Sequence, residues 1–211
     1  MRTRIKFCGI TRVDDARRAS ELAVDAIGLV FTRSSRRFIG ISQARVIRAA
    51  LSPFVTAVAL FMDDEPGWIE EVVHGVQPDI LQFHGGESDG FASSFGRPYI
   101  KAMPMASIAN PARHMSEFPG AAGFLLDSHA RGERGGTGET FDWSRVPAAN
   151  GRELVLAGGL DARNVADAIA AVRPYGVDVS SGIEAASGIK DPLKMRAFVA
   201  AVRLADAARP A

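Results

Sequence analysis

The sequence predicts an α/β chain folded as a closed (β/α)8 barrel, a single compact domain over residues 1–211, and three observations predict it. Short apolar, β-branched runs occur eight times. Their starts lie about 25 residues apart, room for one strand, one helix and two short loops. Polar residues alternate with apolar ones in a phase that points them into a barrel's interior, near the strand C-terminal ends where such barrels place their chemistry. A doubly wound open sheet shares the first two features, and the third favours the barrel.

Strands are expected at 5–8, 26–31, 54–61, 79–83, 99–103, 123–126, 153–157 and 176–179. Helical periodicity and start signals fall at 14–24, 42–51, 65–76, 107–118, 161–172 and 191–204, whereas 88–95 and 142–146 are short and marginal. A chain of 211 residues is tight for eight βα units against a typical size of about 250, so at least one of those two marginal helices must be short. The Ala-rich residues 204–211 read as a frayed tail.

Composition narrows the function classes. Lys+Arg 25 against Asp+Glu 24 gives a formal net charge of +1, and 47% of residues are hydrophobic. These near-average values exclude a mainly disordered, collagen-like or disulfide-stapled chain. Neutral balance provides no field for nucleic acid or an acidic membrane. A lone Cys8 forms no intrachain disulfide, which fits a reducing, cytoplasmic location. The apolar run near the N-terminus ends at Gly9, short of a signal-peptide core, and no run reaches the roughly 18 residues of a membrane span. A monomer and a homodimer are equally compatible with the sequence.

The strand phase turns Ile5, Phe7, Leu81, Phe83, Phe124, Leu126, Val177 and Val179 outward under the helices. Lys6, Cys8, Gln82, His84, Asp127, Asp178 and Ser180 turn inward. Two glycine-rich stretches, Gly158-Gly159-Leu160 and Asp178-Val179-Ser180-Ser181-Gly182, follow the seventh and eighth strands. Those are the usual phosphate-binding loops of this architecture, where backbone N–H groups and a helix N-terminus meet an anion; tight turns are the plainer reading.

Cys8, ending the first strand, is either a small hydrophobe or a nucleophile or base, the latter if its surroundings lower the ordinary thiol value of about 8.5. Asp127 ends the sixth strand and precedes a long loop, 128–140, that reads as a mobile lid or a surface insertion. Arg36 and Arg37 follow the second strand, where one guanidinium can bind a carboxylate over the mouth. His84 lines the mouth, while His74, His114 and His129 look ordinary. Lys6 and Asp178, inward on neighbouring strands, are expected to form a buried ion pair, with Lys101 as a candidate third member. No ligand spacing for a metal and no nucleotide fingerprint stands in the sequence, so neither metal nor cofactor is expected.

Lys6-Phe7-Cys8-Gly9-Ile10-Thr11, Gln82-Phe83-His84-Gly85, Leu125-Leu126-Asp127, Gly135-Gly136-Thr137-Gly138 with Phe141-Asp142-Trp143, Gly158-Gly159-Leu160, and Asp178-Val179-Ser180-Ser181-Gly182-Ile183-Glu184 resemble the phosphoribosylanthranilate isomerase family. The likeness runs from residue 5 to about 204, and its opening and closing motifs together are highly specific. It implies a cofactor-free Amadori rearrangement in tryptophan biosynthesis, from N-(5′-phosphoribosyl)anthranilate to 1-(2-carboxyphenylamino)-1-deoxyribulose 5-phosphate. It further implies Cys8 as general base and Asp127 as general acid. Arg37, rather than Arg36, is implied to hold the anthranilate carboxylate. Gln82 and His84 line the substrate site, and Gly158, Gly159, Ser180, Ser181 and Gly182 cradle the 5′-phosphate.

Three competitors stand beside this reading. A histidine-pathway barrel isomerase would carry an aspartate in place of Cys8 and a longer chain with two similar halves. A Schiff-base aldolase would use Lys101. A non-catalytic barrel that binds phosphorylated sugars would keep the glycine loops without turnover.

Overall fold

The structure, a computed structural model, describes residues 2–128, 141–149 and 151–208. Eight parallel strands close into a barrel in chain order: β1 (Arg4–Cys8), β2 (Ala26–Val30), β3 (Thr56–Phe61), β4 (Ile80–Phe83), β5 (Tyr99–Pro104), β6 (Gly123–Asp127), β7 (Glu153–Leu156) and β8 (Gly176–Val179). Closure is made where β1 pairs with both β2 and β8, and the register sets Lys6 beside Asp178.

The helices are α1 (Val13–Glu21), α2 (Ile41–Ala49), α3 (Pro66–Val76), α4 (Asp89–Ser93), α5 (Pro111–Ser116), α6 (Val165–Val172) and α7 (Pro192–Ala207). Both marginal segments are short: α4 spans one turn behind its Ser88 cap, and Trp143–Arg145 between β6 and β7 is a 3₁₀ turn. The expected alternation holds. Ile5, Phe7, Leu81, Phe83, Phe124, Leu126, Val177 and Val179 join helix residues in one outer core, while Cys8 with Val30 and Leu60, and Leu125 with Ala102 and Ala157, pack in smaller separate clusters.

Several boundaries differ from expectation for local reasons. Residues 54–55 are not strand, and Phe54 stands 97% exposed on the loop before β3. Helix α5 starts at Pro111, not 107, because the residue before a proline is pushed out of the helical region; there Asn110 serves as the cap. Helix α6 starts at Val165, not 161, since Asn164 is committed to the preceding loop: its Oδ1 accepts from the Asp161 N–H at 2.9 Å. Residues 204–207, expected as part of a frayed tail, are the last turn of α7. Asp206 ties that turn to β1's approach, accepting from both the backbone N–H and the hydroxyl of Thr3 at 2.7 Å.

After β8 the chain makes a 3₁₀ turn, Ser181–Ile183, and an antiparallel hairpin of β9 (Glu184–Ala186) and β10 (Ile189–Lys190) before α7. Strand patterning did not reveal this hairpin, because its arms have three and two residues. Helix α7 begins with Pro192 at its first position and Asp191 as cap, accepting from the N–H groups of Leu193 and Lys194. Among the described residues, no helix is long and apolar enough to cross a membrane. The lid expected over 128–140 lies outside the described residues apart from Ser128.

Candidate active site at the barrel mouth

Cys8 and Asp127 are the last residues of β1 and β6, 7% and 8% exposed. The shorter way round the barrel wall from β1 to β6 runs through β8 and β7, so the glycine loops that follow those two strands lie between the thiol and the carboxylate.

Cys8 sits above the Lys6–Asp178 pair. Lys6 Nζ donates to Asp178 Oδ1 at 2.9 Å, with both side chains buried, as their inward phase predicts. The Lys6 ammonium is held above its ordinary value: burial opposes the charge, but Asp178, aided by Cys8, outweighs it. Burial pushes the Cys8 thiol up, Asp178 adds to the rise, and Lys6 and Lys190 oppose it without reversing it. This runs opposite to the condition set from sequence, a lowered thiol. Lys101 does not join the pair. Its Nζ donates to Glu87 at 2.8 Å and to the Gly85 carbonyl at 2.7 Å, a second buried ion pair beneath the loop that carries His84.

His84, just past β4, places Nε2 3.0 Å from Asp127 Oδ2. Behind it, the fully buried Gln82 sets its Nε2 3.0 Å from His84 Nδ1. An amide nitrogen only donates, so in this orientation Nδ1 accepts; a neutral imidazole then keeps its proton on Nε2 and donates it to Asp127. Gln82 Oε1 is buried without a hydrogen-bond partner among the described residues. Gln82 thus lies beneath His84 and orients it.

The loops after β7 and β8 meet backbone to backbone. Gly182 packs so closely on the Leu160 carbonyl that a Cβ there would collide with it. Gly158 and Gly159 both take left-handed φ, +83° and +63°, and a Cβ on Gly158 would strike Ser128 at the end of β6. Asn164 Nδ2 braces the turn by donating to the Gly159 carbonyl at 2.8 Å. Ser180 and Ser181 lead into the short 3₁₀ turn, and such a turn beside glycine loops is the usual anion cradle of this architecture.

Of the two arginines after β2, Arg36 is exposed and Arg37 turns inward. Arg37 Nε and Nη2 each donate to a different oxygen of Glu184 at 2.7 Å. The sequence motif contains Glu184, yet nothing in its spacing pointed to Arg37, 147 residues away. Lys190, also missed, donates to Glu184 at 2.9 Å. Among the described residues no group of three or more His, Cys, Asp or Glu stands ready to hold a metal ion.

Fold and rim together define the class: a (β/α)8-barrel enzyme whose mouth carries a thiol, a carboxylate–imidazole pair, an arginine and a glycine-lined cradle. Comparison with known proteins makes this particular. The family model described as N-(5′-phosphoribosyl)anthranilate (PRA) isomerase matches residues 5–201. An N-(5′-phosphoribosyl)anthranilate isomerase of Xanthomonas oryzae pv. oryzae (strain PXO99A) is 53% identical, with 97% of this chain and 95% of the relative covered. The crystal structure of the Thermotoga maritima phosphoribosyl anthranilate isomerase superposes with a TM-score of 0.84 at 38% identity, covering 95% of this chain and 98% of that one. Another solved phosphoribosyl anthranilate isomerase, in complex with reduced 1-(o-carboxyphenylamino)-1-deoxyribulose 5-phosphate, superposes with a TM-score of 0.78 at 36% identity, covering 95% and 98% of the two chains. The chain belongs to the N-(5′-phosphoribosyl)anthranilate isomerase family, enzymes of tryptophan biosynthesis.

Proposed function

We propose that this chain converts N-(5′-phosphoribosyl)anthranilate to 1-(2-carboxyphenylamino)-1-deoxyribulose 5-phosphate by acid–base catalysis, with Asp127 as acid and Cys8 as base. The observation that carries the reading is the placement of thiol and carboxylate on β1 and β6 with the glycine loops of β7 and β8 between them. A substrate whose phosphate occupies those loops has its sugar between the two groups.

In this reading, Asp127 gives a proton to the furanose oxygen as the C1′–O bond breaks, and the anilino nitrogen's lone pair forms the Schiff base. Cys8 thiolate then takes the C2′ proton, and the released electron pair makes the C1′–C2′ double bond of an enol-amine. Proton return to C1′ and loss of the enol proton give the ketose. The two groups need only one proton between them, and burial, which raises the Cys8 thiol, favours its place on sulfur. The reacting form carries that proton on Asp127, as thiolate with carboxylic acid. Arg37 receives the anthranilate carboxylate. Gly158, Gly159, Ser180, Ser181 and Gly182 supply the phosphate cradle, and His84, held by Gln82, orients Asp127.

The Schiff-base alternative is disfavoured by the engagement of Lys101 Nζ with Glu87 and Gly85. We read the chain as one domain that acts as monomer or homodimer, in the cytoplasm. The test is loss of phosphoribosylanthranilate fluorescence on adding the protein. Turnover abolished in Cys8→Ala and Asp127→Ala supports the assignment; binding without turnover in the unaltered protein would indicate a binding module instead.

A further inference from the structure

We infer that Glu184 and Lys190 are positioning residues for Arg37, and that the three side chains form one unit built to receive a single aromatic carboxylate. The inference deepens the reading above and rests on it. A guanidinium has five N–H donors on a planar fork. Glu184 occupies the edge made by Nε and Nη2, at 2.7 Å to each of its oxygens, which leaves the end made by Nη1 and Nη2 for a second carboxylate.

Glu184 is itself fixed from the other side. Its Oε1 accepts from Lys190 Nζ at 2.9 Å and from the Gly188 N–H at 3.2 Å, and its backbone carbonyl accepts from Lys194 Nζ at 2.7 Å. Lys190 Nζ also donates to the Ser180 carbonyl at 3.0 Å, so the unit adjoins the proposed phosphate cradle. Arg37 and Lys190 carry two positive charges against one negative charge on Glu184. The three side chains together carry a net +1, which a carboxylate on Arg37 would neutralise. Held in place beforehand, Arg37 loses little rotamer freedom when that carboxylate arrives.

Two motifs at opposite ends of the chain converge here. Gly9 has a φ of +71°, and a Cβ on it would collide with Arg37 Cδ, so the arginine stem lies across the residue next to Cys8. Thr11 donates its hydroxyl to the Gly188 carbonyl, which ties the loop after β1 to the β9–β10 hairpin. Burial pulls the Lys190 ammonium down, while Arg37 and Lys190 outweigh burial to hold the Glu184 carboxyl below its usual value, as a preassembled ion cluster requires.

The test compares kcat and KM for phosphoribosylanthranilate in the unaltered protein, Glu184→Gln, Glu184→Asp and Lys190→Met, together with binding of the reduced product analogue and of inorganic phosphate. Glu184→Gln is expected to raise KM and weaken the analogue on the order of 10-fold, while kcat falls by less than KM rises. Phosphate affinity stays, and Glu184→Asp recovers part of the loss. An unchanged KM, or phosphate binding lost in step with the analogue, would overturn the inference. If Glu184→Gln does not fold, a structure of the unaltered protein with the analogue decides: its carboxylate lies on the Nη1/Nη2 end of Arg37, or the inference fails. Absence of turnover in the unaltered protein would instead remove the activity reading itself.

Discussion

At the scale of single residues, the proton on Cys8 sets the pH behaviour. In the proposed mechanism activity needs one proton shared between Cys8 and Asp127, so removing it leaves a thiolate with no acid, and the rate falls. Because burial raises the thiol above its ordinary value, the alkaline limb of the kcat/KM profile is expected above pH 9. A limb between pH 7 and 8 would contradict the placement of the proton on sulfur. Beneath it, the Lys6–Asp178 pair was legible because two opposite charges turned inward on neighbouring strands are buried and satisfy one another. Lys6→Met leaves Asp178 buried without its cation and is expected to cost about 3–5 kcal/mol of stability, read by denaturant unfolding. An unchanged midpoint would show the pair to be dispensable. Lys101 was misplaced because its partner, Glu87, sits on a loop that strand phase does not reach.

At the scale of elements, the site depends on loops touching loops. Gly182→Ala inserts a methyl against the Leu160 carbonyl and pries the loops after β7 and β8 apart. KM for substrate and the dissociation constant of inorganic phosphate should rise together, each on the order of 10-fold or more, with kcat much less affected. Normal phosphate affinity in a folded variant would place the anion elsewhere. Strands were read well, since alternation between an outer core and an inner lining is a property of four to six residues in a row. Helix starts were read less well. Proline at 111 and the Asn164 side chain decide them through single backbone contacts that periodicity averages away. The β9–β10 hairpin, too short for any pattern, was invisible, and with it the partners of Arg37.

At the scale of the whole molecule, closure of the barrel does what no segment does alone. It brings residues 8, 37, 84, 127, 158–159 and 180–184 to one mouth, with the proposed acid and base on strands separated by the two glycine loops. The inward placement of Cys8 and Asp127 at two strand ends was readable from strand phase, while their proposed roles and the choice of Arg37 over Arg36 rested on resemblance; the pairing of Arg37 with the buried Glu184 sets it apart from the exposed Arg36. Family membership extends across residues 5–201, so the arrangement belongs to the entire barrel rather than to a transplanted loop. The most direct measurement is the fluorescence assay of phosphoribosylanthranilate turnover on the unaltered protein beside Cys8→Ala and Asp127→Ala. The account predicts turnover in the first and a loss of about 100-fold or more in each variant; near-normal rates in either variant would contradict it.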